Sequence, residues 1–385
     1  MLALCSVCLL VLQPLPPAPR PAPPPDPSLP ILRSAQAAQE PNAWPEIVAI
    51  IPHFLRNQEL GSDLADAARG PVPSPAALGL LASFDALHLT RHLDALAASR
   101  HVLGPGLTGD VSLSRHASSA MLFASYASVA RLRHAQAPDD RIRGLRHALA
   151  LARHAALQGS YSDVVTSGII LELVHRALLD RLRAGVPEPE LLLYLDAAKR
   201  QRLEAPRALW FDAELASARV LVADELTSLD DPRAGIVTRS MIPEAHAALD
   251  GHFAAAKRRE FPPLASLPVP ARDAVLQVLH DQPLCSANLD RVLAISEGLP
   301  AVVALAIIAA RGDPPPASLN DLIPDLLDRL PIDPATDSPP VFRPSPTLLY
   351  SVGTDGIDHN ANADPGLPRR AFTPRGVGYD YILYP

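Results

Sequence analysis

The sequence predicts a mainly α fold: an irregular antiparallel, repeat-like helical array that ends in a small C-terminal β-loop module. Hydrophobic residues, chiefly Ala, Leu and Val, make up 48% of the 385-residue chain and aromatics 4%, so aliphatic helix faces rather than aromatic sheet faces must build the core. Apolar residues recur at helical spacing in successive stretches, most of them opened by Pro, Ser or Asn and closed by Gly or Pro. After Arg311 the texture changes to prolines, Asx residues and short alternating runs, which favour turns and strands.

Residues 1–13 read as an export signal or a truncated membrane anchor. Met1 to Leu12 is apolar, but it lacks the basic start and small-x-small cleavage site of a secretory signal. It is also shorter than the about 20 apolar residues of a spanning helix. Cys5 and Cys8 lie too close to Met1 for an ordinary lipobox. With Cys285 as the third cysteine, neither a disulfide framework nor a zinc cluster can be assembled, and Cys285 reads as a lone packed thiol. Residues 14–40 form a proline-rich linker whose density of proline favours an extended polyproline II spacer, a stalk between membrane and folded body.

Residues 41–260 are expected to form a helical domain. A first helix runs over Asn42–Leu55, with Ile47, Ile50, Ile51 and Leu55 on one stripe. Pro75–Ser99 and Ser114–Ala135 follow, separated by Gly104, Pro105, Gly106 and Gly109. Pro138 opens another helix, with Asp139 and Asp140 at its positive end and Ile142, Leu145, Leu149 and Ala152 on its apolar face. The short Ala-Pro connector before it predicts an antiparallel hairpin with its predecessor. Ser160–Arg183, Pro187–Leu203 and Pro206–Leu229 continue the series without a fixed repeat period.

Residues 261–385 are expected to hold further helices, at Val269–Leu279 and Leu289–Arg311, and the C-terminal module. The second of these is apolar nearly all round, which predicts a core helix, its apolar run being read as shorter than a membrane span. A short capped helix within Gly312–Pro324, strand-like segments at Thr347–Val352 and Tyr379–Tyr384, and a polar loop over Gly353–Pro365 complete the chain.

The succession Pro-Ala-Ser-Leu (316–319), Leu-Pro-Ile-Asp-Pro (330–334) and Leu-Leu-Tyr-Ser-Val-Gly-Thr-Asp-Gly-Ile-Asp (348–358) resembles the C-terminal region of type II secretion major pseudopilins. With the opening Asn42-Ala43-Trp44-Pro45, it also resembles a family of envelope proteins from planctomycete-type bacteria, which join a membrane anchor, a helical middle and this tail. The pseudopilin resemblance implies a calcium-binding loop and carries its ligands onto Asp355 and Asp358. The chain departs from that pattern in lacking the methylated N-terminal helix motif, and in placing Ala-Thr-Asp after Asp333-Pro334, where a glycine-containing turn is usual.

The residues themselves leave two readings of this loop open. Calcium takes about six to eight hard oxygen ligands, and Asp355, Asp358, Asn360, Asn362 and Asp364 offer carboxylates and amides within one short segment. The same residues make turns and tolerate left-handed backbone without any metal. The spacing from Asp358 to Asp364 matches the start of an EF-hand, but Ala363 stands where that motif needs glycine and Arg369 where it needs glutamate.

Catalytic signals are sparse. His88 and His92, and likewise His147 and His154, share helix faces, but Leu89 stands where a zinc-protease helix needs its glutamate, and both pairs read as partly solvated histidines. No nucleophile elbow, phosphate-cradling loop or dinucleotide fingerprint occurs. With 34 basic against 41 acidic residues the chain lacks the cationic excess that nucleic acid attracts, so no nucleic-acid partner is expected. Arg131, Arg133, Arg141, Arg143, Arg146 and Arg153 cluster around one hairpin, as a solvated face or as a patch for anionic lipid or an acidic partner.

The expectation is a non-enzymatic scaffold or interaction protein, exported or membrane-anchored in the periplasm or cell envelope, with an unidentified protein partner and a calcium-stabilised tail. Two alternatives stand beside it. One is a metal-dependent hydrolase whose site is assembled between helices from histidines such as His88, His92, His147 and His154. The other is a component of a secretion or pseudopilus-like assembly.

Overall fold

The computed structural model describes residues 42–56, 61–70, 89–99, 111–158, 161–203, 241–257, 282–363 and 379–385, with scattered positions between 73 and 82, 211 and 226, and 271 and 276. The export segment, the proline-rich linker, His88 and Asp364 lie outside the described residues, and so does the side chain of Cys285. The fold is mainly helical, with a small three-stranded antiparallel sheet near the C-terminus.

The helices are α1 (Trp44–Arg56), α2 (Gly61–Arg69), α3 (Leu89–Ala98), α4 (Val111–His134), α5 (Pro138–Gln158), α6 (Tyr161–Arg183), α7 (Glu188–Arg200), α8 (Ile242–Lys257) and α9 (Gln282–Arg311). Asn42 opens α1 by accepting the Trp44 amide at 3.0 Å, and Ile47, Ile50 and Ile51 are buried as their stripe predicts. Two helices arise that the apolar pattern does not announce. In α2 the buried residues are Leu64 and three alanines, too small a payload to stand out, and α8 carries only a weak apolar bias between Asp, His and Lys.

α4, α5 and α6 pack on one another in sequence order, with α1 and α2 against α4 and α3 and α7 against α5. α4 and α5 cross with their backbones in close approach at Gly144 on α5. A methyl group there would stand 2.5 Å from the Ser128 carbonyl oxygen and 2.9 Å from the Leu132 amide of α4, both backbone atoms that a rotamer change cannot move aside. The α5–α7 contact is pinned by charge. Arg141 grips Glu190 bidentately at 2.7 and 2.6 Å and caps the Ala135 and Gln136 carbonyls at 3.0 and 2.5 Å, while the Tyr194 hydroxyl donates to the same carboxylate. That bond to Arg141 holds the Glu190 carboxyl below its ordinary range.

α9 packs against α6 and α7. By length and composition its stretch Ala287–Arg311 is long enough to cross a membrane, which corrects the expectation of a run too short to do so. In this fold 89% of its most apolar window is buried, so its apolar surface is spent on the protein core. One continuous apolar cluster runs from Ile47 through Leu171 and Val302 to Leu383, across the boundary between residues 260 and 261.

The C-terminal sheet has the order β1 (Val341–Pro344), β2 (Thr347–Ser351), β3 (Tyr381–Tyr384). The β1–β2 hairpin pairs Val341 with Tyr350 and Pro344 with Thr347, and β3 pairs Leu349 with Tyr384 across an irregularity at Leu349/Tyr350. The sequence announces only two of the three strands. β1 is four residues long and ends on a proline, so no alternation develops. β3 docks on the helices through Leu383, whose side chain fills the space that a side chain at Gly298 of α9 would need. His175 of α6 donates to the Leu383 carbonyl at 2.6 Å and accepts from the Tyr381 hydroxyl at 3.2 Å.

Two predictions follow from this packing. Gly144→Ala is expected to destabilise the fold by about 1–3 kcal/mol, the usual cost of overpacking, measured by urea unfolding. Burial pushes the His175 imidazole below its ordinary value of 6.5, and His147 shifts the same way for the same reason. A depressed histidine leaves its contribution whole above 6.5 and loses it as pH falls below that value, because the unfolded chain then binds the proton that the fold refuses. The melting temperature should therefore fall between pH 7.5 and pH 5 as about one proton is taken up per such histidine, and His175→Gln should flatten that fall.

Candidate functional site

The polar loop after β2 is built around a buried carboxylate that precedes it in sequence. Asp333, of the Leu-Pro-Ile-Asp-Pro segment, accepts from the Ala335 amide at 3.0 Å, the Ser351 hydroxyl at 2.9 Å and the Val352 amide at 3.0 Å. It thereby fixes the end of β2 to the turn at 333–338, which closes through an antiparallel bridge between Asp333 and Ser338. The segment is itself clamped to α9, where Arg329 makes a bidentate pair with Glu297 at 2.8 and 2.7 Å.

On this base stand four of the five residues predicted as calcium ligands. Asp355 accepts from the Ile357 amide at 3.1 Å and pairs with the His359 ring at 2.9 Å. Asp358 accepts from the Tyr350 hydroxyl at 2.9 Å and the Asn360 amide at 2.7 Å, and burial together with that bond pushes the Tyr350 hydroxyl up to about 12. The Arg343 guanidinium donates to Tyr350 at 2.7 Å and to the Asn360 side-chain oxygen at 3.0 Å. Asn362 holds the loop to β3, its carbonyl accepting from the Asp380 amide at 2.8 Å. Asn360 and Ala361 both take left-handed backbone, at φ 62° and 64°, as the turn reading of the Asx residues requires. Among the described residues no three His, Cys, Asp or Glu side chains gather as a metal site, and Asp364 lies outside them.

The residue that sequence reasoning missed is Asp380. It is completely buried, lies against the loop from the β3 side, and accepts from the His359 amide at 3.4 Å. Its second carboxylate oxygen has no hydrogen-bond partner of good geometry, although the Ala361 amide also stands close enough to favour the charge. Burial, with the Asp358 charge adding to it, pushes its carboxyl above the ordinary range. The signal was present as a lone acid in the alternating segment Tyr379–Tyr384, but the pattern alone assigns such a residue to the solvent face.

The histidines do not converge. His92 pairs with Glu46 at 2.5 Å, His147 donates to Asp94 at 2.6 Å, and His154 contacts the Leu96 carbonyl at 2.9 Å. His147 and His154 share a face as predicted, but both are buried against α3 rather than partly solvated. The six-arginine patch is likewise dispersed. Arg131 reaches Thr90 and the Leu81 carbonyl, Arg133 pairs with Asp180, Arg141 with Glu190, and Arg153 binds the Ser99 carbonyl, so only Arg143 and Arg146 are left on the surface.

No family model, curated protein or solved structure matches the chain. The site therefore rests on its own chemistry, and the first test is of its base. Hydrogen bonds to a charged group contribute about 1.5–3 kcal/mol each, so Asp333→Ala, which removes three of them, should cost at least about 3 kcal/mol in urea unfolding.

Proposed function

We propose that the chain is a non-enzymatic cell-envelope scaffold whose helical body offers protein-contact surface and whose C-terminal loop is stapled by calcium. The observation that carries the calcium reading is Asp380, a fully buried carboxylate with an unpartnered oxygen beside a loop rich in oxygen donors. An ionised carboxylate in that position is costly unless a cation or hydrogen-bond donor meets it. Asp380 and its neighbour Asp358 would supply the charged oxygens, and Asn360 and Asn362 neutral ones, which is the hard donor set that calcium prefers.

The loop's oxygens already have hydrogen-bond donors of their own. His359 sits on Asp355 and Arg343 on Asn360, so calcium would compete with them and bind modestly. An affinity of about 10⁻⁴–10⁻³ M is that of extracellular calcium modules, which fits an exported chain better than a cytosolic one. The apolar segment 1–13 and the proline-rich segment 14–40 support the same location by composition, as signal or tether followed by a stalk. The tail's resemblance to major pseudopilins supports the loop assignment.

The test is calorimetric titration of the full chain with calcium, with melting followed in calcium and in chelator. Calcium should raise the melting temperature of the unmutated chain. Asp380→Asn should abolish that rise. It should also melt higher than the unmutated chain in chelator, because the variant no longer buries a charge. The raised carboxyl sets the sign: Asp380 contributes stability below its unfolded value, 3.8, and loses it as pH rises through the higher folded value, so at neutral pH its charge opposes folding. No heat, no shift and an unchanged Asp380→Asn variant would reduce the loop to turn chemistry.

A further inference from the structure

The α5 face that carries Arg143 and Arg146 looks into an open cleft between α3 and α7. Its volume is ≈ 550 Å³, within the about 300–1,000 Å³ of small-molecule sites. Arg143 and Arg146 have acidic neighbours only at 3.7 Å, Asp140 and Asp196 respectively, and donate no hydrogen bond among the described residues. Arg200 also lines the cleft, but its charge is met directly by Asp196 at 2.8 Å. Two guanidinium groups therefore face the cleft with uncommitted N–H donors.

Two carboxylates line the same space. Asp139 has no ion pair or hydrogen bond among the described residues, and Asp94 is held from beneath by the fully buried His147 at 2.6 Å. A buried neutral imidazole donating to a half-exposed carboxylate fixes that carboxylate's orientation without cancelling its charge. Between the charges the lining is apolar, with Ala98, Ile142 and Ala197, and Leu193 left 42% exposed at the edge. The Gln201 side-chain amide donates to the Ala97 carbonyl at 2.9 Å, joining the end of α7 to α3.

Two cations, two anions and an apolar floor in one small cleft suit a molecule that carries both charges on an apolar body. We propose that the cleft between α3, α5 and α7 binds a short zwitterionic peptide, its carboxylate on Arg143 and Arg146, its ammonium on the Asp94 carboxylate that His147 orients, and its apolar side chains on Ile142, Leu193 and Ala197. A guanidinium meets a carboxylate with paired N–H donors, and an ammonium is satisfied by carboxylate oxygens, so each end of such a ligand has a matched partner. This site is separate from the C-terminal loop and does not depend on calcium.

The test titrates the full chain with the dipeptide Leu-Leu, its N-acetylated form and its C-amidated form, read by calorimetry. Leu-Leu should bind saturably, and each capped form about tenfold or more weaker, the effect of losing one charge-assisted contact. R143Q/R146Q should weaken Leu-Leu binding by a similar factor while the variant melts as the unmutated chain does, since neither side chain holds a hydrogen bond in the fold. Asp94→Asn should erase the difference between Leu-Leu and its N-acetylated form. No saturable heat overturns the proposal, as does equal binding of the capped forms or full binding by R143Q/R146Q.

Discussion

A 30-residue helix that is apolar on nearly every side must be covered on nearly every side, and the rest of the fold is arranged to cover α9. Val302, Val303 and Ile307 are fully buried, and burying each such side chain is worth about 1.5–3 kcal/mol. α6 and α7 supply much of the cover, and β3 of the C-terminal sheet supplies more. The few polar groups on α9 are paired where they meet the cover, as with Arg291 on Glu172 at 3.6 Å and Glu297 on Arg329 at 2.7 Å. Gly298 is glycine because Leu383 occupies the volume beside it.

That arrangement makes the tail part of the core. His175 and Leu383 tie β3 to α6, Glu297 and Arg329 tie the Leu-Pro-Ile-Asp-Pro segment to α9, and Asp333 ties that segment to the end of β2. The loop that follows springs from a base with three independent attachments, so its carboxylates are held in place before any ligand arrives. Asp380 enters the loop from the β3 side, and the buried charge at the heart of the proposed calcium site is thus imposed by the same docking that covers α9.

The helices were legible wherever apolar residues are large and regularly spaced. Ile47, Ile50 and Ile51 announce α1, and Pro138 with Asp139 and Asp140 announces the start of α5. α2 and β1 were not legible, because alanine carries little periodic signal and a four-residue strand ending in proline carries none. Of the loop, Asp355, Asp358, Asn360 and Asn362 could be read as a set because they are close in the chain. Asp380 could not, being brought to them by strand pairing.

The sequence by itself determined that the protein is helical, that its acidic residues outnumber its basic ones, and that it carries an Asx-rich loop near its end, since each of these depends on composition or local spacing. Only the tertiary structure decided the fate of the charged side chains. Arg141 and Arg143 are two residues apart and look alike in the sequence, yet one is locked on Glu190 in the interior and the other faces an open cleft. The physical reason is that a side chain's partner is chosen by which helix packs across from it, and that is settled by the burial of apolar surface far along the chain.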